Sequence, residues 1–158
     1  MTLRERLQDD TTAAMRSGDA LRRDVLRMVN NSIYNAEKSK RITMSDDDVI
    51  GVLTREVKTR RESIDAFRKG GREDLAAKEE AEIAILSEYL PQALSQTDIE
   101  ALVGEAISAT GASSARDMGK VMGWLSPRTR GRADGKVVSG LVAQALAQAD
   151  LAAHGTGH

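Results

Sequence analysis

The chain has 158 residues and a formal charge of −1; 41% of its residues are hydrophobic but only 3% are aromatic, so a core has to be built from Leu, Ile, Val, Ala and Met. It contains no Cys, which excludes disulfides, thiolate nucleophiles and Cys-ligated metals. The near-neutral balance excludes general attraction to nucleic acid and leaves that role only to a local basic patch.

In chain order, the first residues, Met1 to Leu7, already have amphipathic helical character. They lack the apolar stretch of a secretory leader. No apolar run approaches the roughly 20 residues of a membrane span. A cytoplasmic protein without a membrane partner is therefore expected. Ser17-Gly18 ends the first helix and Asp19 caps a second, in which Leu21, Val25, Met28, Val29 and Ile33 recur at three- and four-residue steps. Such steps put side chains on one helical face. Ser45, with Asp48 three residues on, opens a third helix carrying Val49, Leu53, Val57, Ile64 and Phe67 to about Arg68. That pair is the acidic form of a capping box. Gly70-Gly71 breaks the pattern, and Leu75, Ile83, Leu86 and Leu90 mark a fourth helix that Pro91 stops.

Pro91 to Gln96 is the expected boundary between two parts, 1–91 and 97–150. Thr97 and Glu100 are spaced as a further capping box, before Ile99, Leu102, Val103, Ala106 and Ile107. Gly111 ends that helix. Ser114 and Asp117 open a short helix expected to stop before Pro127, and Asp134 caps a last one with Val137, Val138, Leu141, Val142 and Leu146. Residues 151–158 are expected to be a disordered tail. No alternating run of β-branched residues suggests a strand. The fold class read from this pattern is all-α.

The basic residues after residue 95 all fall within 116–136: Arg116, Lys120, Arg128, Arg130, Arg132 and Lys136, against Asp117 and Asp134 there. Three of them alternate with small residues in Ser126 to Gly135, just before a helix N-terminus. Such an end favours phosphate, and arginine adds paired donors that fit phosphate oxygens. The bland alternative is a solvated basic loop. Gly119 and Gly123 stand four apart in a predicted helix, where each costs up to ~1 kcal/mol relative to Ala. Close approach by another helix, or by a nucleic-acid backbone, would offset that cost. Arg55, Lys58, Arg60 and Arg61 read as a solvated helix face with ordinary ion pairs such as Glu56–Arg60. Asp46-Asp47-Asp48 complements a helix dipole and makes a poor chelate. His154 and His158, the only histidines, lie in the tail. No catalytic set, metal site, cofactor motif or Walker loop can be assembled.

Over about residues 1–148 the chain resembles the GatB/YqeY family. The matching segments are Leu26-Arg27-Met28, Asn35-Ala36-Glu37, Arg60-Arg61-Glu62-Ser63-Ile64, Gly71-Arg72-Glu73-Asp74-Leu75 and Glu88-Tyr89-Leu90-Pro91. They continue with Asp117 to Gly123 and Gly131 to Lys136. The resemblance implies an N-terminal helical bundle and a small C-terminal three-helix domain. It also implies a relation to the C-terminal tail of the B subunit of glutamine-dependent tRNA amidotransferase, where the tail helps hold tRNA. The family is catalogued with carbon–nitrogen ligases that use glutamine as amido-N-donor. This chain is similar to the tail alone, without the part that activates the aminoacyl carboxylate with ATP. The subunit's usual Ala-Asn-Pro stands here as Ala133-Asp134-Gly135.

The leading expectation is an accessory module that binds tRNA or another structured RNA. Lys120, Arg128, Arg130, Arg132 and Lys136 would contact phosphates, and Gly119, Gly123 and Gly131 would permit close approach. A helical protein-interaction module without RNA, docking on amidotransferase subunits or another protein, is the alternative. An autonomous amide-transfer enzyme is the third reading, and the missing catalytic portions argue against it.

Overall fold

A computed structural model describes residues 1–155. Among the described residues there are α-helices and one short 3₁₀ turn, with no strand. The helices are α1 (Leu3–Ser17), α2 (Ala20–Lys40), α3 (Asp46–Lys69), α4 (Glu73–Ser87), α5 (Gln96–Thr110), α6 (Met118–Thr129) and α7 (Gly135–Gly155), with the 3₁₀ turn at Ala115–Asp117. The chain divides into two compact units, Met1–Pro91 and the residues from Gln92 onward.

Local chemistry starts and stops most helices of the first unit. Thr2 and Glu5 form a capping box for α1, and Gly18 ends it in the left-handed region at φ 77°. Asp19 accepts from Arg22 N and opens α2. Ser45 and Asp48 form the expected box for α3. Each box gives two otherwise unpaired N–H groups an acceptor. The apolar residues then meet in one cluster: Leu7 of α1; Val25, Leu26, Val29 and Ile33 of α2; Val49, Leu53 and Val57 of α3; and Leu86 with Tyr89 at the end of α4.

Tyr89 carries the polar contacts that fix the end of α4. Its hydroxyl donates to Asp10 Oδ2 at 2.6 Å and accepts from Arg22 Nη2 at 2.9 Å. Arg22 also reaches Glu88 at 2.6 Å, and the Arg6 guanidinium sits 4.6 Å from the Tyr89 ring centroid. Burial and the bond to Asp10 push the phenol well above its ordinary pKa, so it stays a donor. Glu37 does similar work at the other end of α2: one carboxylate oxygen pairs with Arg4 at 2.7 Å and the other accepts from Met44 N at 2.8 Å.

Arg60 corrects the sequence reading. It does not lie on a solvated face; it is 5% exposed. The guanidinium pairs with Glu56 at 2.7 Å on its own helix and stands 4.0 Å from Glu79 and 3.8 Å from Glu82 of α4. Its Nη2 lies 3.4 Å from the Met28 sulfur of α2. The three-residue turn Gly70–Arg72 returns α4 alongside α3 and covers Arg60, a consequence of tertiary structure that no i,i+4 spacing encodes. Burial pushes the Glu82 carboxyl above the ordinary range by more than Arg60 pulls it down.

The second unit packs Ile99, Val103 and Ala106 of α5 against Val121 and Leu125 of α6 and Val138, Val142 and Leu146 of α7. Three expectations change here. Helix α5 opens on Ser95 with Asp98 as the box, so Thr97 and Glu100 are not the cap. The two pairs have the same spacing and start two residues apart; the hydrogen bonds select the earlier. Helix α6 continues through Pro127 to Thr129. Proline removes one N–H donor, while side chains near it bind the backbone of the last turns: Ser126 Oγ donates to Met122 O at 2.7 Å and Thr129 Oγ1 to Leu125 O at 3.2 Å. The expected tail is helical over residues 151–155, which continue α7. The rest of that tail, 156–158 with His158, lies outside the described residues.

Replacing Arg60 with Ala leaves three carboxylates around an emptied, buried position. The expected loss is about 3 kcal/mol or more at pH 7, read from urea unfolding. Because the folded-state pKa of Glu82 is raised, its ionised form burdens the fold fully above that pKa and not at all below the ordinary Glu range. Part of the loss should therefore recover on acidification toward pH 5.

Candidate nucleic-acid interface

Helix α6 is positioned from its start by Asp117. Its Oδ2 accepts from Ser113 N at 2.8 Å and, more weakly, from Ser114 N at 3.4 Å. The Ser113 bond is the first cause of a carboxyl pKa below the usual range, with Lys120 and Arg116 adding to it. Lys120 Nζ lies 3.9 Å from Asp117 and is otherwise exposed.

Helical geometry sorts the exposed residues of α6 into two neighbouring columns. Gly119, Gly123 and Pro127 form one; Lys120, Trp124 and Arg128 form the other. The glycine column is not packed. A Cβ placed at Gly119 or Gly123 meets nothing within 4 Å. Close approach by another helix, one of the two reasons considered for these glycines, is thereby excluded within the described residues. Arg128 lies over Trp124, its guanidinium carbon 3.6 Å from the ring centroid, and its Nη1 donates to the Trp124 carbonyl. This stack is absent from the expectations above, although the i,i+4 spacing of the two residues signals it.

The corner after α6 is shorter than expected, because Ser126 to Thr129 are helical. Arg130 ends the helix with φ −55° and ψ 125°. Gly131 follows in the left-handed region at φ 73°, the conformation in which glycine carries no Cβ penalty. Arg132 N and Ala133 N both return to Thr129 O, at 2.9 and 3.1 Å. Arg132 is partly committed to the fold: its Nε donates to Gln92 O at 3.1 Å, and its own carbonyl accepts from Leu94 N at 2.8 Å. Asp134 Oδ1 accepts from Lys136 N at 2.9 Å, and its carbonyl accepts from Val138 N at 3.1 Å. The start of α7 thus already holds a carboxylate, and the helix end is a weaker phosphate site than its position alone suggests.

The structure therefore places Arg128, Arg130 and Arg132 at one corner, with Lys136 in the first turn of α7. Gly119, Lys120 and Gly123 lie along the outer side of α6 leading to it. Among the described residues no carboxylate pairs with Arg128, Arg130, Arg132 or Lys136. No group of three His, Cys, Asp or Glu residues there is arranged to hold a metal ion, and no helix is long and apolar enough to cross a membrane. His154 pairs with Asp150 at 3.2 Å when protonated.

A family model described as Yqey-like protein matches residues 4–146. Altered inheritance of mitochondria protein 41, mitochondrial, of Pyrenophora tritici-repentis is 31% identical over 137 residues, 85% of this chain and 75% of that protein. An uncharacterized protein of Schizosaccharomyces pombe is 40% identical over 42% of this chain and 54% of its own length. The protein of Vanderwaltozyma polyspora that shares the first relative's name is 33% identical over 53% of this chain and 46% of its own. The matched regions thus span about half the length of the latter two. The names overturn the expected cytoplasmic location, because two of these relatives are mitochondrial by name. An apolar leader marks secretion only; mitochondrial targeting segments are amphipathic and basic instead.

Two measurements check this geometry. Gly119→Ala and Gly123→Ala should each raise stability by about 0.5–1 kcal/mol in thermal unfolding, since the added methyl meets open space and alanine favours helix. Asp117→Ala should lower the melting temperature at neutral pH. A depressed folded-state pKa gives stability that is complete above the unfolded value of about 3.9 and is lost as pH falls through the folded one. The gap between variant and wild type should therefore close toward pH 3.

Proposed function

The chain belongs to the Yqey-like protein family, and from that premise we propose that it is an accessory module that binds tRNA or another structured RNA through its second unit. The observation that carries the reading is the corner between α6 and α7: cations without carboxylate partners next to a helix face stripped of side chains. Arg130 and Lys136 are exposed and free to turn toward phosphates, and the exposed Lys120 is held only by its 3.9 Å approach to Asp117. Arg132 contributes charge while its Nε secures Gln92. Gly119 and Gly123 let a backbone approach α6 at a helical cost of up to ~1 kcal/mol each that no internal contact offsets. Contacts of this kind position an RNA by shape more than they read its sequence. The resemblance to an amidotransferase tail supports the choice of tRNA as ligand. On this reading the chain would hold substrate for chemistry carried elsewhere.

The test is a titration against bulk tRNA at several salt concentrations. Arg130→Glu combined with Lys136→Glu spares the Arg132–Gln92 bond and so tests charge without unlatching the corner. Wild-type binding should weaken steeply with salt, and each phosphate contact removed should flatten the log–log slope by about 0.7–0.9. Binding unchanged by the double reversal contradicts the assignment. Absence of binding near physiological salt removes it and favours the protein-interaction reading, which a nuclease-insensitive pull-down would then support.

A further inference from the structure

Arg128 differs from the other cations of the corner. Its guanidinium is laid on the Trp124 indole at 3.6 Å from the ring centroid, the spacing of a face-on stack, and Nη1 is tied to the Trp124 carbonyl. Trp124 is itself half-buried and packs on the core of the second unit. The indole and the carbonyl together therefore fix both the plane and the position of the guanidinium. Arg128 is exposed, and no carboxylate pairs with it among the described residues. One of its in-plane donors is already engaged, which makes it a poorer edge-on clamp for phosphate than Arg130. Its free asset is a flat cationic face turned away from the indole. The chemical group that matches such a face is another flat, polarisable ring.

We propose that Arg128, supported by Trp124, is a stacking platform for an unpaired base of the bound RNA, while Lys120, Arg130 and Lys136 hold its phosphates. This rests on the RNA-binding reading above and narrows it to an RNA that presents at least one base outside a helix. A base within a regular duplex has both faces covered by its neighbours, whereas unstacked bases are splayed onto aromatic rings and guanidinium planes. The bare column of Gly119 and Gly123 beside Lys120 and Trp124 leaves room for the strand to lie against α6 as its base reaches the platform.

The experiment compares two strands of equal length and charge, a single-stranded RNA and its abasic ribose–phosphate counterpart, in binding to the full chain at fixed salt. Wild type should prefer the base-bearing strand by about 5- to 150-fold, the range of one base stacked on a side chain. Arg128→Lys keeps the charge and removes the flat face; it should erase the preference and leave affinity for the abasic strand nearly unchanged. Arg130→Lys should preserve the preference, whatever it does to overall affinity. Circular dichroism verifies that both variants fold. Wild type binding both strands equally overturns the platform and leaves RNA binding standing, as does an Arg128→Lys variant that keeps the preference. Binding to neither strand at low salt overturns both.

Discussion

Aliphatic side chains pack without direction, and this chain has little else to pack. Leu7, Leu26, Ile33 and Leu53 are fully buried in the first unit, as are Val121, Leu125, Val142 and Leu146 in the second. A core of such residues holds helices together but leaves their ends free to slide. Polar contacts at those ends supply the missing direction. In the first unit Tyr89 ties the end of α4 to Asp10 and Arg22, and Arg60 gathers carboxylates from α3 and α4. In the second, Leu94 N donates to Arg132 O and Arg132 Nε donates to Gln92 O, which holds residues 92–94 against the corner between α6 and α7. A buried charge with excess opposite charge around it is weak evidence for stability; what Arg60 adds is a fixed register between two helices.

The same economy frames the candidate interface. The corner that Arg132 secures is the corner that presents Arg128 and Arg130, so the fold and the proposed binding draw on one set of residues. Helix α6 keeps two glycines on a face that meets nothing, in a segment where alanine would strengthen the helix. Such a face gives up helical stability, and the proposed approach of an RNA backbone would offset the loss. Asp134 works in the other direction, since its carboxylate occupies the positive end of α7. The arginine side chains, rather than the helix dipole, then carry the attraction for anions.

Features set by residues within one turn of each other were legible in the sequence. The Asp19 cap, the Ser45–Asp48 box and the Gly70-Gly71 break follow from local hydrogen bonding and from glycine's freedom, and all three stand. The all-helical class follows from apolar periodicity for the same reason. Where two local solutions competed, spacing could not choose: Ser95–Asp98 and Thr97–Glu100 are equivalent on paper, and only the hydrogen bonds separate them. Pro127 reads as a stop by the rule against proline in a helix, yet α6 runs two residues past it with only the bond to Gly123 O forgone. Arg60 was misread because its burial depends on α4 folding back over α3. The basic corner was legible as a cluster of charge, but the different employment of its arginines was not. One stacks on Trp124, one secures Gln92, and Arg130 stays free. The cytoplasmic expectation was overturned by the names of relatives and by nothing in the residues.

The proposed RNA contact runs along α6 and its corner in the second unit. Backbone amide NMR of the full chain, recorded with and without tRNA at low salt, tests it residue by residue. Shifts should concentrate at Gly119 to Gly123 and Arg128 to Lys136, including the Trp124 indole N–H, with residues 3–87 largely unmoved. Shifts confined to the first unit, or none on addition of excess tRNA, would contradict it.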